Sequence, residues 1–410
     1  MLSLSDEHVE FALEVLRRLI SIPTINPPGQ NYKKCAEYLG GVLEELGLEV
    51  DLVEIPEEFM ELYYPYFPLN KGYPRYIVYG KTKKKGRKIV HFNGHYDVVP
   101  PGSGWTRDPF TPYVEGDKLF GRGSTDMKGG IAASIAAIRA ILEKDLDVGI
   151  EAVYVPDEEA GGTGTRYFVH KKVSKPDYVI IAEPSTSSKI IIGHKGLVRG
   201  IVRVFGKQAH GSSPWKGVNA FVNASKLVSE FVEKYAEVLK SRITKAPVME
   251  PEARHPTINL GGYAESISRK DNIVPGEFVF SFDRRTIPEE DVEHVTRELV
   301  EIFTSIAERQ GVNAEVKILS SVPASLAMQE SSLVKVSVSC VEKALGSTPT
   351  ILMSSGRNDS VFYRLMGIDT ITYGPGVEET AHGPDEYTSI EDLRKTIIVY
   401  NCIIENLSRI

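Results

Sequence analysis

The chain of 410 residues has only three cysteines and two tryptophans, and it has no long apolar segment. The cysteines, Cys35, Cys340 and Cys402, are far apart and form no CxxC pair, so they predict no thiolate metal site and no disulfide framework. We expect buried free thiols in a reducing compartment. No stretch approaches the roughly 18 apolar residues of a membrane span, and the acidic N-terminus does not resemble a signal peptide. The expectation is a cytoplasmic protein whose metal ligands, if it has any, are Asp, Glu and His.

An excess of basic residues is also missing. Lysine and arginine number 48 against 55 acidic residues, which gives a formal net charge of −7. This balance argues against a nucleic-acid partner, because proteins that bind nucleic acids usually have a basic surface. It also gives no support to binding of an anionic membrane. The one strong basic block, residues 81–88, is predicted to be a solvated hairpin turn around Gly86.

The apolar patterns indicate two kinds of architecture in one chain. Residues 1–194 and 323–410 alternate short β-branched or aromatic runs with helical patterns, which predicts an α/β catalytic domain with a mixed, mostly parallel sheet flanked by helices. Residues 195–322 follow the order β-α-β-β-α-β, which is typical of a split βαβ, α+β domain inserted into the first. The first helix is predicted from a capping pair at Ser3 and Asp6, and residues 56–74 are predicted to be a long surface loop.

Acidic and histidine residues follow five of the predicted strands or their loops. They are His95 with Asp97, Asp126 in a glycine-rich loop, Asp157-Glu158-Glu159, Glu183, and His382. Each cluster alone could be a polar turn or an exposed acidic loop. Together they predict a metal site, because strand ends of an α/β sheet converge at one edge. The sequence has no HExxH, no GxSxG and no phosphate-loop motif, so serine, cysteine and nucleotide chemistry have no local support.

These clusters resemble the motifs of the co-catalytic zinc deacylases and peptidases, which include acetylornithine deacetylase, succinyl-diaminopimelate desuccinylase, carboxypeptidase G and aminoacylase. The motifs are GHYDVVP (94–100), GRGSTDMKGG (121–130), PDEEAGG (156–162), AEP (182–184) and GPGVEETAHGPDE (374–386). The inserted domain fits through GKQAHGSSPWKGVNA (206–220), DNIVPGE (271–277) and FDRRTIPEED (282–291). The resemblance covers nearly the whole chain.

The resemblance implies two zinc ions per chain, which cobalt or manganese could replace. One would be bound by His95 and Glu183 and the other by Glu159 and His382, with Asp126 bridging both and Asp97 orienting His95. Glu158 would be the general base for a zinc-bridging water and later the general acid. The peptide bond between Asp126 and Met127 is expected to be cis.

Further residues are assigned to substrate by the same resemblance. His210 would reach the oxyanion, in dimers from the partner subunit, whereas by itself it would be taken for a turn histidine. Asn272 and Arg285 would bind the free carboxylate of the substrate, and strand alternation predicts that Arg284 is exposed. The substrate loop contains Gly356 and Arg357. Relatives often carry a small hydroxyl residue in place of Arg357, so this arginine binds either an anionic acyl group or a neighbouring acid.

The implied function is a metal-dependent amidohydrolase that cleaves the amide bond of an N-acyl amino acid. A carboxypeptidase or dipeptidase on the same scaffold is the alternative, and a non-catalytic metal-dependent binding protein is a more remote one. The implied partners are a small acyl amino acid or short peptide and a second copy of the chain, joined through the inserted domain. No nucleic acid and no membrane is expected.

Overall fold

The structure is a computed structural model that describes residues 5–83 and 86–410. The chain forms two compact units. The first comprises the described residues of Met1–Gly193 with Ala327–Leu352 and Asn358–Ile410, and the second comprises His194–Leu326 and Met353–Arg357. The predicted cap at Ser3 and the middle of the predicted turn at 81–88 lie outside the described residues.

The regular elements follow one another along the chain from Asp6 to Leu407. The α-helices are α1 (Asp6–Ile20), α2 (Tyr32–Glu45), α3 (Glu57–Tyr63), α4 (Lys128–Leu142), α5 (Thr163–His170), α6 (Ala220–Ser241), α7 (Val292–Gln310), α8 (Ser332–Leu345), α9 (Ser360–Leu365) and α10 (Ile390–Leu407). The strands are β1 (Glu49–Glu54), β2 (Tyr76–Lys81), β3 (Lys88–His95), β4 (Tyr113–Glu115), β5 (Lys118–Phe120), β6 (Val148–Val155), β7 (Tyr178–Ile181), β8 (Lys189–His194), β9 (Gly196–Phe205), β10 (Ala209–His210), β11 (Thr257–Ser266), β12 (Ile273–Val274), β13 (Glu277–Thr286), β14 (Asn313–Val322), β15 (Ser325–Leu326), β16 (Thr350–Ser354), β17 (Asp369–Thr372) and β18 (Tyr387–Ser389).

A large mixed sheet organises the first unit, and its centre is parallel. The strand order is β1-β2-β6-β3-β7-β17-β8. β3 runs parallel to β6 and β7, and β7 runs parallel to β17, whereas β1, β2 and β8 pair antiparallel. The carboxyl ends of four neighbouring strands therefore meet at one edge of the sheet. The α/β class with a mixed sheet flanked by helices, predicted from the sequence, is confirmed.

The central strands are covered on both faces. Along β6, Ile150, Ala152 and Tyr154 pack into the main core, whereas Val153 and Val155 pack on the opposite face. The main core also holds the apolar sides of α1, α2, α4, α8 and α10, and the smaller one those of α3 and α5. Burial of both faces explains why the sequence shows continuous apolar runs here instead of strict alternation.

Helix α4 begins in close contact with the end of β7. A Cβ atom on Gly130 would lie 1.8 Å from the carbonyl oxygen of Ala182, and one on Gly129 would lie 2.4 Å from that of Ser124. Only glycine permits this approach, since a side chain would have to displace backbone. The contact brings the loop before α4, which carries Asp126, to the strand end that carries Glu183.

The second unit is an antiparallel sheet packed against two helices. Its strand order is β11-β13-β9-β14, and α6 and α7 cover one face. The rings of Phe231 and Phe303 stack with centroids 4.0 Å apart in this core. The connectivity β9-α6-β11-β13-α7-β14 is the split βαβ arrangement that the sequence predicts.

Arg284 corrects one prediction in this unit. Alternation along β13 does separate it from Arg285, but Arg284 is fully buried rather than exposed. Its guanidinium lies 2.5 Å from Glu290 and donates to the hydroxyl of Tyr235. The prediction was wrong because the face opposite Arg285 is the one covered by helices, and a buried glutamate satisfies the charge there.

The cysteines correct a second prediction. Cys340 on α8 and Cys402 on α10 form a disulfide across a sequence separation of 62 residues. Cys35 is buried and free, as expected. The packing of α8 on α10 places two distant thiols side by side, which spacing along the chain cannot reveal. The expectation of three free thiols is therefore wrong, and cysteine usage no longer argues for a reducing compartment.

The predicted loop at 56–74 also contains regular structure, because α3 forms at Glu57–Tyr63 and buries Met60. Among the described residues, no helix has the length and apolar character needed to cross a membrane.

Candidate functional site

Two histidines and three carboxylates meet at the sheet edge of the first unit. Nε2 of His95, at the end of β3, lies 3.0 Å from Oδ1 of Asp126 and 3.5 Å from Oε1 of Glu183, which follows β7. Nε2 of His382 lies 3.2 Å from Oδ2 of the same Asp126 and 3.1 Å from Oε1 of Glu159, which follows β6. One carboxylate thus contacts both rings with its two oxygens. The Asp126–Met127 peptide bond is cis, as predicted.

The ligand atoms fall into two overlapping groups. His95, Glu158 and Glu183 form one, and His95, Asp126 and Glu159 form the other, each with atoms within 4.8 Å of one another. Glu158 is therefore a member of the first group, and the next residue in the chain, Glu159, is a member of the second. This is the neighbourhood in which the sequence predicts a general base.

Asp97 joins two of the strand ends. Its main-chain oxygen lies 3.0 Å from Nδ1 of His95, and its carboxylate accepts hydrogen bonds from the backbone N–H groups of Glu158 and Glu159, each at 3.2 Å. A histidine that binds a metal ion through Nε2 is held in the required tautomer by a hydrogen bond that its Nδ1–H donates. Asp97 thus orients the imidazole and holds the Glu158–Glu159 backbone next to it.

A buried polar network below Asp97 was not identified from the sequence. The amide of Asn26 donates to the carboxylates of Asp97 (2.9 Å) and Asp157 (3.2 Å). Asp157 has a positive φ of 66° and pairs with Arg75 at 3.1 Å, both side chains being buried. Asp157 was noted in the acidic run, but nothing in the sequence shows that it points away from its neighbours. No motif or pattern in the sequence marks Asn26 or Arg75 as part of this network.

We expect the replacement of Arg75 by methionine to lower the free energy of unfolding by about 3–5 kcal/mol, because it leaves the Asp157 carboxylate buried and uncompensated. Burial already raises the pKa of Asp157, to about 6, against the effect of Arg75. Urea unfolding measures the change. Combining Arg75→Met with Asp157→Asn is expected to recover part of the lost free energy of unfolding, because asparagine is neutral and tolerates a positive φ.

Arg394→Met is the control for this measurement, because Arg394 forms a 2.7 Å ion pair with the exposed Asp6. We expect a loss of less than about 1 kcal/mol there. An equally small loss in Arg75→Met would contradict the assignment of a structural charge pair to Arg75 and Asp157.

The pKa shifts at the sheet edge show that the cluster is short of positive charge. Burial raises the pKa of Glu183 to about 7, and Asp126 adds to this effect. Hydrogen bonds with Asp126 and Glu159 raise the pKa of His382 to about 10. Burial alone would lower the pKa of His95, but Glu183 and Asp126 raise it well above its usual value. Raised pKa values of histidines beside several carboxylates are the pattern expected where negative charge is in excess.

The donor set fits divalent metal ions. Within the described part of the chain, the ion pairs found for Asp126, Glu159 and Glu183 are with histidine rings. Imidazole nitrogens and carboxylate oxygens are ligands of zinc and of its first-row neighbours. The two histidines share one aspartate, so the donors form one continuous cluster.

His210 and Asn272 are brought together in the second unit. His210 on β10 is opposite Ile273 on β12, and the N–H of Gly211 donates to the carbonyl of Asn272 at 2.7 Å. Nδ1 of His210 accepts from the backbone N–H of Ser212 at 3.1 Å. In the tautomer that accepts at Nδ1, the ring N–H is on Nε2.

The other predicted substrate residues also lie in the second unit. Arg285 is half-buried and forms an ion pair with Asp283 at 2.7 Å. Asp283 forms a second ion pair with Arg199 at 2.9 Å. Gly356 is exposed and Arg357 half-buried, in the segment Met353–Arg357. That segment joins the unit through hydrogen bonds such as the one from the N–H of Lys195 to the carbonyl of Ser354, 3.1 Å.

Comparisons with known proteins identify relatives that match nearly the whole chain. The succinyl-diaminopimelate desuccinylase of a Nitratiruptor species is 26% identical over 96% of this chain and 99% of its own. The acetylornithine deacetylase of Salmonella arizonae is 28% identical over 94% of each chain. The solved structure of the metallo-carboxypeptidase Sso-CP2 from Sulfolobus solfataricus has the same fold, with a TM-score of 0.78 at 24% identity over 97% of this chain and 99% of that one.

The model of peptidase family M20/M25/M40 matches residues 91–406, which include every predicted metal ligand. The match spans more than half of the chain, and relatives named as deacylases cover nearly all of it. The chain therefore belongs to peptidase family M20/M25/M40 and is a metal-dependent hydrolase of amide bonds.

Proposed function

We propose that this protein removes the acyl group from an N-acyl amino acid, as the names of its desuccinylase and deacetylase relatives suggest. The observation that supports the proposal most is the position of Glu158, whose carboxylate lies within 4.8 Å of the ligand atoms of His95 and Glu183, in a cluster whose two histidines share Asp126. A protein that only bound metal would have no need of a further carboxylate there.

We propose that His95 and Glu183 hold one ion, that Glu159 and His382 hold the second, and that Asp126 contacts both. Two divalent ions, when bound, supply Lewis acidity toward a carbonyl oxygen and toward water. Zinc is the proposed metal, with cobalt or manganese as substitutes. Asp97 keeps His95 in the ligating tautomer. The His95 side chain is 1% exposed and the three carboxylates between 9% and 16%, whereas the His382 side chain is 54% exposed.

The proton transfers are assigned to Glu158. Its carboxylate takes a proton from the attacking water as the water oxygen bonds to the amide carbon. When the C–N bond breaks, the same group returns that proton to the leaving amine, so the acid and the amino acid are released with no net proton change at Glu158. Nε2–H of His210 donates to the oxyanion of the tetrahedral intermediate.

The substrate carboxylate is assigned to Arg285 and Asn272. A guanidinium binds a carboxylate through two parallel hydrogen bonds. Asp283 accepts from the same guanidinium, so it keeps the fork ordered. We further propose that the second unit acts as a lid and joins two chains into a homodimer. The exposure of Trp215, Phe221 and Val222, at 76%, 51% and 43%, supports a protein partner there. The cytoplasmic location remains a prediction.

A substrate panel tests the proposal. The purified protein with added zinc is assayed on N-succinyl, N-acetyl and N-glutamyl amino acids and on dipeptides. We expect kcat/KM for the best acyl amino acid to exceed that for any dipeptide by at least about tenfold, which corresponds to one well-placed binding interaction. The opposite order would replace deacylation by a dipeptidase or carboxypeptidase activity.

Arg357→Ala tests the acyl preference. If Arg357 binds an anionic acyl group, its loss is expected to lower kcat/KM for succinyl substrates by about 10–100-fold, as for a charge-assisted hydrogen bond, and to leave acetyl substrates nearly unchanged. Arg254→Ala, an exposed arginine of the same unit, is the matched control. If the ratio of kcat/KM for succinyl substrates to that for acetyl substrates is unchanged in Arg357→Ala, Arg357 has only a structural role.

A further inference from the structure

Glu386 is a fully buried carboxylate that the proposed chemistry does not use. Its Oε1 accepts hydrogen bonds from the backbone N–H groups of Gly123 (3.1 Å), Thr125 (2.9 Å) and Asp126 (3.0 Å). Its Oε2 lies 2.6 Å from Nη1 of Arg122. One side chain thus satisfies most of the polar backbone of the loop that carries Asp126. Without this carboxylate, these N–H groups would be buried with no acceptor.

Arg122 connects the Asp126 loop to the loop that carries His382. It is 1% exposed, and its Nη2 donates to the carbonyl oxygens of His382 and Pro101, each at 3.2 Å. Glu386 itself lies four residues after His382 and accepts, at its main-chain oxygen, from the N–H of Gly121 at 2.9 Å. The ion pair therefore ties the backbone of one proposed ligand, Asp126, to the backbone of another, His382.

The side chains of these two ligands meet as a result. Oδ2 of Asp126 and Nε2 of His382 lie 3.2 Å apart, although 256 positions separate them in the sequence. Both loops are irregular, and the backbone of His382 has a positive φ of 63°. Strand pairing between β5 and β18 joins the two loops at Phe120 and Tyr387, but it does not reach Asp126 or His382. The Arg122–Glu386 pair supplies the fixed connection instead.

We propose that Glu386 and Arg122 are positioning residues, which hold Asp126 and His382 at the spacing needed for the second metal ion. The inference rests on the proposed function. Neither residue contacts substrate or acts as a ligand. Their effect is on the metal ion shared by Asp126, Glu159 and His382, and they affect the ion at His95 and Glu183 less, because the position of His95 depends on β3 and Asp97.

The variant Glu386→Gln tests this inference. The glutamine keeps one oxygen that can accept from the backbone N–H groups of the Asp126 loop. Its NH₂ group replaces the carboxylate oxygen that pairs with Arg122. We expect the affinity for the second zinc ion, measured by competition with a chelator, to fall by about 10–100-fold, as for other residues that support metal ligands. The first ion is expected to bind within about threefold of the wild-type affinity. Arg122→Lys, which keeps the charge but loses the fork, is a milder variant and is expected to weaken the second ion about tenfold.

The visible spectrum of the cobalt-substituted protein gives a readout that general destabilisation does not change. On addition of the second equivalent of Co²⁺, the spectrum of Glu386→Gln is expected to differ from that of the wild type, since the ligand geometry differs. Glu290→Gln is the matched control. Glu290 is also buried, pairs with Arg284 at 2.5 Å and accepts from the N–H of Ile287 at 2.9 Å, but it lies in the second unit.

The control is expected to lose folding stability in the metal-free state without any change in zinc affinity or in the cobalt spectrum. If Glu386→Gln loses stability but binds both ions like the wild type, the pair is only structural and the inference is overturned. If the wild-type protein itself takes up no second metal ion, the proposed function fails first, and the inference with it.

Discussion

Replacing Glu158 with glutamine is expected to lower kcat by about 10²–10⁴-fold, the range typical of a lost general acid–base group. The glutamine amide has the size of the carboxylate but cannot accept the proton of the attacking water or return it to the leaving amine. The backbone hydrogen bond from residue 158 to Asp97 does not depend on this side chain. We therefore expect the metal content, the unfolding midpoint and KM to change little.

The measurement is a steady-state assay on the best substrate of the panel, combined with metal analysis of the same preparation. Glu44→Gln, at an exposed position of α2, controls for the amide substitution and is expected to retain full activity. A Glu158→Gln enzyme that keeps more than a tenth of kcat would remove Glu158 from the proton transfers. Loss of one metal ion in this variant would make Glu158 a ligand instead.

Asp126→Asn is expected to have the second large effect, on metal content. Each oxygen of this carboxylate lies against a different histidine ring, and hydrogen bonds to those rings outweigh burial and keep its pKa below the usual value. An amide provides one oxygen and a nitrogen that does not bind metal, so it cannot serve two ions. We expect metal content to fall from about two ions per chain to one or fewer, the outcome of losing the group shared in a two-metal site, and activity to fall with it.

Metal analysis after dialysis against a buffer with a small excess of zinc measures the loss. Asp51→Asn, at an exposed position of strand β1, is the control that is expected to keep both ions. If Asp126→Asn retained two ions per chain, the shared carboxylate would have to be another residue, and Glu159 is the neighbour to test next.

The placement of the candidate site could be predicted from the sequence because strand ends of an α/β sheet converge. The runs that end at His95, Glu159 and Glu183 are short, apolar and β-branched, and the structure places their strands, β3, β6 and β7, side by side. The family resemblance added the individual roles, which spacing alone does not supply. Those roles remain predictions.

The supporting contacts could not be predicted, since they depend on three-dimensional packing between distant segments. Asn26 and Arg75 have ordinary sequence surroundings, and Glu386 ends a family motif without a role assigned to it. Only the fold shows that each is buried against a charged partner. The same limit explains two errors. Arg284 was assigned to the correct side of its strand, but the sequence did not show that helices cover that side. Cys340 and Cys402 became neighbours only through the packing of two helices.

Removal and return of metal to the wild-type protein tests the central claim most directly. The protein is stripped with a chelator, and hydrolysis of an N-acyl amino acid is followed as zinc is added back. We expect negligible activity in the metal-free protein and a rise that saturates at about two ions per chain, as for a two-metal hydrolase. Full hydrolysis of the acyl amino acid by metal-free protein would contradict it.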